Sequence, residues 1–568
     1  MTATASAATN AEMQIQELQE LQEHWRGRAR YTVFDSNYGD GARFAGLVAA
    51  WRADPQRPAR LHLLALAGGL QPGFHRIPQI DAGVTLDLLA APIEDALAQL
   101  HAQPDFLRID GVEGIGFVRP LARLSALGAR LEAPGLDAQQ RAALGAQGFT
   151  FDSERSAIFA SRKPRLPVAA VPERRALVLG AGLAGCAAAA RLCARGWQVT
   201  LVERHPQAAM EASGNLAGIF MPLLSRDDNI PTRLTRAAYL YALRLWQQLG
   251  GIGHAFEGAQ CGVLQLSRDA GHAAVSRAIA AAGRVPHDFA RWLERAEAEA
   301  LLGLPAPDGG WLFPQGGWAR PGSVCAAMLA SCGDALTTRF GAGDVALERD
   351  GGEWLARGAD GALLGRAPTA ILASGAGARR MAQTGDLPLQ ALRGQVAHLA
   401  PAAAPRLPLV LCREAYLTPS GQGVSCAGAT YDLDDDPALR AASHEENLAR
   451  LRALVSDPRA ALGAPLAGRV GFRCVAPDRL PLVGRLPDFA AAGATERLRD
   501  VPRHPGLHGL LGYASRGLIW APLAAELLAA QLEGEPLPLE MALVDALDPA
   551  RFVLRARRVG LAASPPTR

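Results

Sequence analysis

Lysine is all but missing from this 568-residue sequence. Lys163 is the only one, and arginine supplies the rest of the 58 basic side chains. A GC-rich coding bias accounts for that, but it also leaves a surface rich in planar groups that suit phosphate and carboxylate. An excess of one charge is missing too: 58 basic against 55 acidic residues leave a net charge of +3. That excludes a polyelectrolyte-type nucleic-acid binder, though not a local basic patch. The eight cysteines contain no C-x-x-C pair, so no structural zinc site, and no other metal, is expected. Cys186 and Cys193, seven apart in an alanine-rich stretch, read as buried free thiols. No apolar run reaches the roughly 20 residues of a membrane span. The opening MTATASAATNAEMQ is polar and lacks the apolar core of a signal peptide, so a soluble protein of the reducing cytoplasm is expected.

What is present is enough for several cores. Apolar residues make up 49% and charged residues 20%, which excludes global disorder. The length suggests about three to four domain-sized units. One break stands out: Arg162 to Arg175, RKPRLPVAAVPERR, sets three prolines among charged residues and reads as a linker centred on 164–174. Residues 1–163 before it have mixed α/β character; 175–560 after it open with a strand and a glycine-rich turn. The first dozen residues and the closing SPPTR are expected to be disordered.

The turn is ALVLGAGLAG, residues 176–185. A buried strand leads into Gly180, Gly182 and Gly185 in G-x-G-x-x-G spacing, and CAAAARLCARG continues as a helix. The three glycines allow a tight turn, close approach of backbone to a pyrophosphate, and close helix–strand packing. The helix N-terminus offers free N–H groups and positive dipole to phosphate. A second strand, QVTLVE, ends in Glu203, about twenty residues on and placed for ribose hydroxyls. Together these predict a dinucleotide site. Two further glycine-bearing segments, AILASGAGARRM at 370–381 and LHGLLGYASRGLIWAP at 507–522, favour the longer FAD over NAD.

The stretch from about 174 to 558 resembles the D-amino-acid-oxidase/glycine-oxidase superfamily of FAD enzymes. The matching pieces are ALVLGAGLAG, ASGN (212–215), WARPGS (318–323), LRGQV (392–396), YLTP (416–419) and GATYD (428–432). ASGNLAGIFMPLLSRDDN, GRVGFRCVAPDRLPLVG and LLGYASRGLIWAPLAAELLAAQLEGEPLPL are more specifically similar to the oxidase half of the bifunctional tRNA wobble-uridine enzymes, the MnmC family. The resemblance implies an α/β fold. An N-terminal Rossmann-like, methyltransferase-type domain would precede an FAD-binding Rossmann-type domain, built from about 175–265, 320–390 and 468–560. An inserted α+β substrate part would take 266–319 and 391–467. It implies oxidation of a 5-carboxymethylaminomethyl group on wobble (2-thio)uridine of tRNA to 5-aminomethyl, with glyoxylate released and noncovalent FAD accepting a hydride. A monomer acting on tRNA, away from membranes, is expected. The cofactor residues so implied are Gly180, Gly182, Gly185, Glu203, Arg204, Ser213, Gly214, Asn215, Ser374, Gly375, Gly484, Gly512, Ser515, Arg516, Gly517 and Leu518. Arg473 aligns with the arginine that binds the substrate carboxylate, Tyr416 with its tyrosine partner, and Arg516 is a second arginine candidate; a guanidinium alone gives a planar bidentate clamp. His254 and His398 form no spacing pattern and read as exposed or satisfied.

Residues 31–66, 84–100 and 105–111 resemble the first strands of an S-adenosylmethionine-dependent methyltransferase, but the ligand positions depart from the pattern. In the loop Asp35–Gly41 the first glycine is Asn37, and Asp40 adds a charge. The acids expected after the second and third strands fall near Ala67 and Pro92. The segment after Asp110–Gly111 is short. The domain therefore reads as a retained fold that has lost S-adenosylmethionine, leaving a docking or stabilising module. Two alternatives stay open on residues alone: a small-molecule oxidase or dehydrogenase of glycine or N-substituted amino acids, and an RNA-binding scaffold with structural flavin. An intact bifunctional enzyme that also methylates is a third.

Overall fold

The computed structural model describes residues 20–161, 170–455, 467–493 and 495–558. The N-terminal dozen, SPPTR and linker residues 164–169 lie outside them. The chain forms two compact units.

The first unit, within residues 20–171 and Ala530–Ala542, is built on an eight-stranded sheet. Its parallel strands stand in the order Val84–Ala90, Arg60–Leu66, Arg30–Asp35, Phe106–Arg108, Arg130–Glu132. Both-face burial of RYTVFD and RLHLLAL explains their nearly unbroken apolar runs. Winding reverses at Arg30–Asp35, so the loop after that strand is the switch point where such sheets take ligands. An antiparallel strand, Gly73–Asp81, covers one edge, and the hairpin Phe149–Phe151/Ser156–Phe159 the other.

Residues Ala530–Ala542 belong with this unit, where the sequence suggested one unbroken C-terminal region. The reason is polar bonding: Arg30 donates to the Glu533 carbonyl at 2.5 Å, and the Leu537 amide to the His101 carbonyl at 3.0 Å. Fully buried Arg76 holds Asp87 through two hydrogen bonds and also donates to the Pro536 carbonyl at 2.7 Å.

The second unit carries two main sheets. One is six-stranded, in the order Leu336–Arg339, Gln198–Val202, Arg175–Leu179, Thr369–Leu372, Arg503–Leu511, Leu482–Pro487. Its first five strands are parallel and the last is antiparallel. The helix Leu183–Cys193 follows the central strand and is buried along most of its length, which small alanines permit. The other sheet is eight-stranded and mainly antiparallel, running from Arg291–Leu293 at one edge to Gln390–Leu399 and Ala467–Val475 at the other. It includes Val263–Leu266 and Ala467–Val475, so the suggested part boundaries at 265/266 and 467/468 fall inside strands of this one sheet. No described helix is long and apolar enough to cross a membrane.

Candidate active site

A cavity of about 1450 Å³ opens within the second unit. At one end lies the glycine turn. Gly180 has φ +106°, and a β-carbon there would stand 2.7 Å from the Ala373 carbonyl oxygen. Gly182 faces the cavity; its missing β-carbon would sit 3.0 Å from Ser213 Oγ, which itself accepts the Leu183 amide at 3.1 Å. Gly185 is behind the turn, where a β-carbon would meet the Gly180 oxygen at 1.8 Å, so its role is helix–strand packing. Glu203 ends the neighbouring strand, buried, with its two carboxylate oxygens accepting the Ala181 amide at 2.6 Å and the His205 amide at 3.0 Å. Arg204 stands at the rim and pairs with Asp344.

The other glycine-bearing segments reach the same cavity. Ser374, Gly375, Asn215, Gly512, Ser515, Arg516, Gly517 and Leu518 all line it. Gly214 does not; it lies beneath the Arg469 guanidinium, which hydrogen-bonds the Met210 and Glu211 carbonyls. Gly484 is also absent from the lining: it sits mid-strand opposite Gly509, where φ +119° suits the pairing of two glycines. His254 is exposed. His398 is buried with Nε2 unpartnered, so it is neither exposed nor fully satisfied, and it too stands outside the lining.

At the far end the eight-stranded sheet supplies Arg473 and Tyr416. LRGQV and GFRCV are antiparallel neighbours, with Leu392 opposite Arg473 and Gly394 opposite Gly471. The guanidinium lies across Gly394, where any β-carbon would come within 2.1 Å of Arg473 Nη1. Arg473 donates to the Thr430 carbonyl at 3.1 Å and stacks 4.3 Å from the centre of the Tyr431 ring. No carboxylate among the described residues pairs with it. Arg516 is in the same condition: it donates to the Met221 carbonyl at 3.2 Å, has no carboxylate partner among the described residues, and burial lowers its guanidinium from the ordinary value. Two acid-free arginines facing one cavity form a ready anion site. Two strands separate Tyr416 from Arg473, so a ligand touching both lies across the sheet. Burial pushes the Tyr416 phenol up, which keeps it protonated and able to donate.

Sequence reasoning missed Tyr431, Gly394, Tyr513 and the rim arginines Arg379 and Arg380. Gly394 and Tyr431 stood in motifs already noticed, LRGQV and GATYD, but only the folded register shows them touching Arg473.

Comparison with known proteins now decides the family. Residues 175–531 match the FAD dependent oxidoreductase (DAO) family. The tRNA 5-methylaminomethyl-2-thiouridine biosynthesis bifunctional protein MnmC of Azoarcus sp. (strain BH72) is 43% identical, covering 95% of this chain and 92% of the relative. The chain belongs to the MnmC family. Its counterpart from Burkholderia thailandensis is 41% identical over 96% of this chain and 93% of its own length. The Azoarcus alignment runs over 591 positions against 568 residues here, so that MnmC relative carries segments this chain lacks. Among solved structures, glycine oxidase from Geobacillus kaustophilus aligns with TM-score 0.56 at 21% identity, over 66% of this chain and 99% of its own, and shares the fold. Iminodiacetate oxidase from Chelativorans sp. BNC1 aligns at 0.52 and 25% identity, over 64% of this chain and 96% of its own.

As a family member the chain is an FAD-dependent oxidoreductase acting on a CH–NH bond, and the cavity suits that cofactor. At about 1450 Å³ it is larger than a small-ligand pocket needs. Gly182 leaves a cradle a side chain would fill, and the Ser374 hydroxyl and Tyr513 phenol are buried against it without partners.

Proposed function

We propose that this protein oxidises the 5-carboxymethylaminomethyl group of wobble (2-thio)uridine in tRNA to 5-aminomethyl, releasing glyoxylate, as a cytoplasmic monomer. Noncovalent FAD would be held by Gly180, Gly182, Glu203, Ser213, Asn215, Ser374, Gly375 and the turn Gly512–Leu518. When bound it supplies the two-electron acceptor for the C–H beside the secondary amine.

The observation that carries the reading is Arg473: a half-buried guanidinium, facing the cavity, with a carbonyl and an aromatic ring as partners and no acid. The substrate's carboxylate completes it. Tyr416 donates its hydroxyl to the same group, and Arg516 holds a second point on it. Fixing the carboxylate fixes which carbon faces the acceptor. The name of the MnmC relatives supplies the tRNA.

The first unit is proposed not to bind S-adenosylmethionine. At its switch point Asp35 is tied to Arg43 at 2.8 Å and to the Asn37 amide at 2.9 Å. The Tyr38 ring folds over Gly41, its hydroxyl 2.7 Å from where a β-carbon would be. Ala67 and Pro92 end the next strands without an acid for a ribose.

Reduction of the flavin in a single turnover by tRNA carrying the group, but not by sarcosine or glycine, tests the reading, with nucleoside mass spectrometry of tRNA from a strain lacking the gene as the cellular check. The likeness to iminodiacetate oxidase favours one second reading, a small-molecule oxidase of N-substituted amino acids. Reduction by sarcosine and not by tRNA would select it.

A further inference from the structure

We infer that Tyr431 is the platform on which the substrate's nucleobase stacks. This rests on the proposed tRNA reading and adds how the ring bearing the reacting group is recognised. Tyr431 lines the cavity, yet 57% of it is exposed. One face is covered by the Arg473 guanidinium at 4.3 Å. The aromatic surface left open is therefore next to the group that takes the carboxylate. A uracil whose 5-substituent ends in a carboxylate needs this pairing: an anion site and, a few atoms away, a flat apolar face. Bases extruded from single-stranded RNA loops are held by such faces.

The backbone that carries the ring is fixed on both sides of Tyr431, which an idle surface tyrosine would not require. Its loop is braced from below by Arg393, fully buried. That guanidinium donates to the Asp436 carbonyl at 2.8 Å, the Ala438 carbonyl at 2.6 Å and the Asp432 carboxylate at 3.0 Å. On the backbone, Arg393 and Asp432 exchange both amide–carbonyl bonds, and Thr430 Oγ1 accepts the Gln395 amide at 3.0 Å. Preorganisation of this kind lowers the ordering cost of binding. The loop is acidic, which would repel a phosphate chain, but its charges are largely answered internally. Asp432 pairs with Arg393, and Asp434 and Asp436 pair with Arg440, while Asp435 faces the cavity. Exposed Arg379 and Arg380, in the same lining, have no acid partner among the described residues and can meet the RNA backbone beside the base.

Stopped-flow reduction of the holoenzyme by modified tRNA tests the assignment, with apparent Kd and limiting rate read separately from the saturation curve. Tyr431→Ala should raise the apparent Kd about tenfold or more, and lower the limiting rate much less. Tyr431→Phe, which keeps the face and loses the hydroxyl, should restore tight binding. A Tyr431→Ala protein that binds and reacts like wild type overturns the inference alone. So does a Phe variant as weak as Ala, because the hydroxyl and not the face would then matter. A wild-type flavin that modified tRNA fails to reduce overturns the tRNA reading, and this inference with it.

Discussion

The two units each present a strand, a glycine-bearing loop and a helix, and the loops have gone opposite ways. In the second unit, Gly180 lets the backbone turn tightly against Ala373, Gly182 keeps a side chain out of the cavity before the helix, and the acid after the next strand, Glu203, is in place. In the first, Arg43 reaches back from the helix to Asp35, Tyr38 covers Gly41, and the next strands end without an acid. The sheets beneath are equally well buried. A parallel sheet is kept by its apolar strands, whereas a nucleotide site depends on a few atoms being absent and one carboxylate being present. The second set can be lost without disturbing the first.

The harshest way to break this comparison is Gly182→Val. Its side chain would enter the space beyond Ser213, so the protein should fold but purify without flavin, seen as lost visible absorbance. A fully yellow variant would show that the open loop is not the cofactor's seat. Next comes Arg473→Ala, which should keep its flavin and lose at least about tenfold in kcat/KM for flavin reduction by modified tRNA, following the rule that 1.4 kcal/mol is a factor of ten. Arg473→Lys should also be poor, because an ammonium loses the planar fork. If Arg473→Ala were as fast as wild type, Arg516 would inherit the role.

A third effect reads one buried group of the second unit by pH. His508, buried in the six-stranded sheet with Nδ1 unpartnered, has its pKa lowered to about 4 from 6.5, first by burial and then by Arg485. Its folded pKa lies below the unfolded one, so the unfolded chain binds the extra proton between those values. Stability of the second unit is then full above about pH 6.5 and falls as pH drops towards 4, by about 3 kcal/mol in all. In the first unit His24 is lowered too, first by burial, but only half-buried, while Asp35 is shifted upward by burial, so acidification relieves a cost at that carboxylate. Limited proteolysis of the second unit should become faster as the pH falls across that range, and His508→Gln should flatten that dependence. The smallest expected effect is none at all: calorimetry with S-adenosylmethionine should show no binding. Low-micromolar affinity would overturn the reading of Asn37, Ala67 and Pro92.

Much of this was legible in the sequence because it is local. The run ALVLGAGLAG and the acid at Glu203 fall within one strand–turn–helix–strand unit, so spacing alone predicts their meeting. Arg473 was reachable through its motif. Its neighbours were not: Gly394 and Tyr431 come to it from strands and loops some 40 to 80 residues earlier, and only antiparallel register brings them together. Gly484 misled for the same reason, since a glycine that serves a pair of strands looks, in sequence, like one that serves a ligand. The suggested boundaries at 265/266 and 467/468 cut strands of one sheet, because Ala467–Val475 is paired with Gln390–Leu399 along its whole length while its residues 471–474 also line the cavity, so no residue number separates the two roles.

The piece Ala530–Ala542 bears on how such a protein can be shortened. The first unit is discontinuous in the chain: all eight strands of its sheet lie within Arg30–Phe159, but the unit also includes a stretch encoded hundreds of codons downstream. A fragment stopping at Val171 would lack the Pro536 carbonyl that buried Arg76 bonds and the Glu533 carbonyl that Arg30 reaches. It would also leave an ionised group short of a partner in a dry interior. Gene fission after the linker would therefore release an incomplete half.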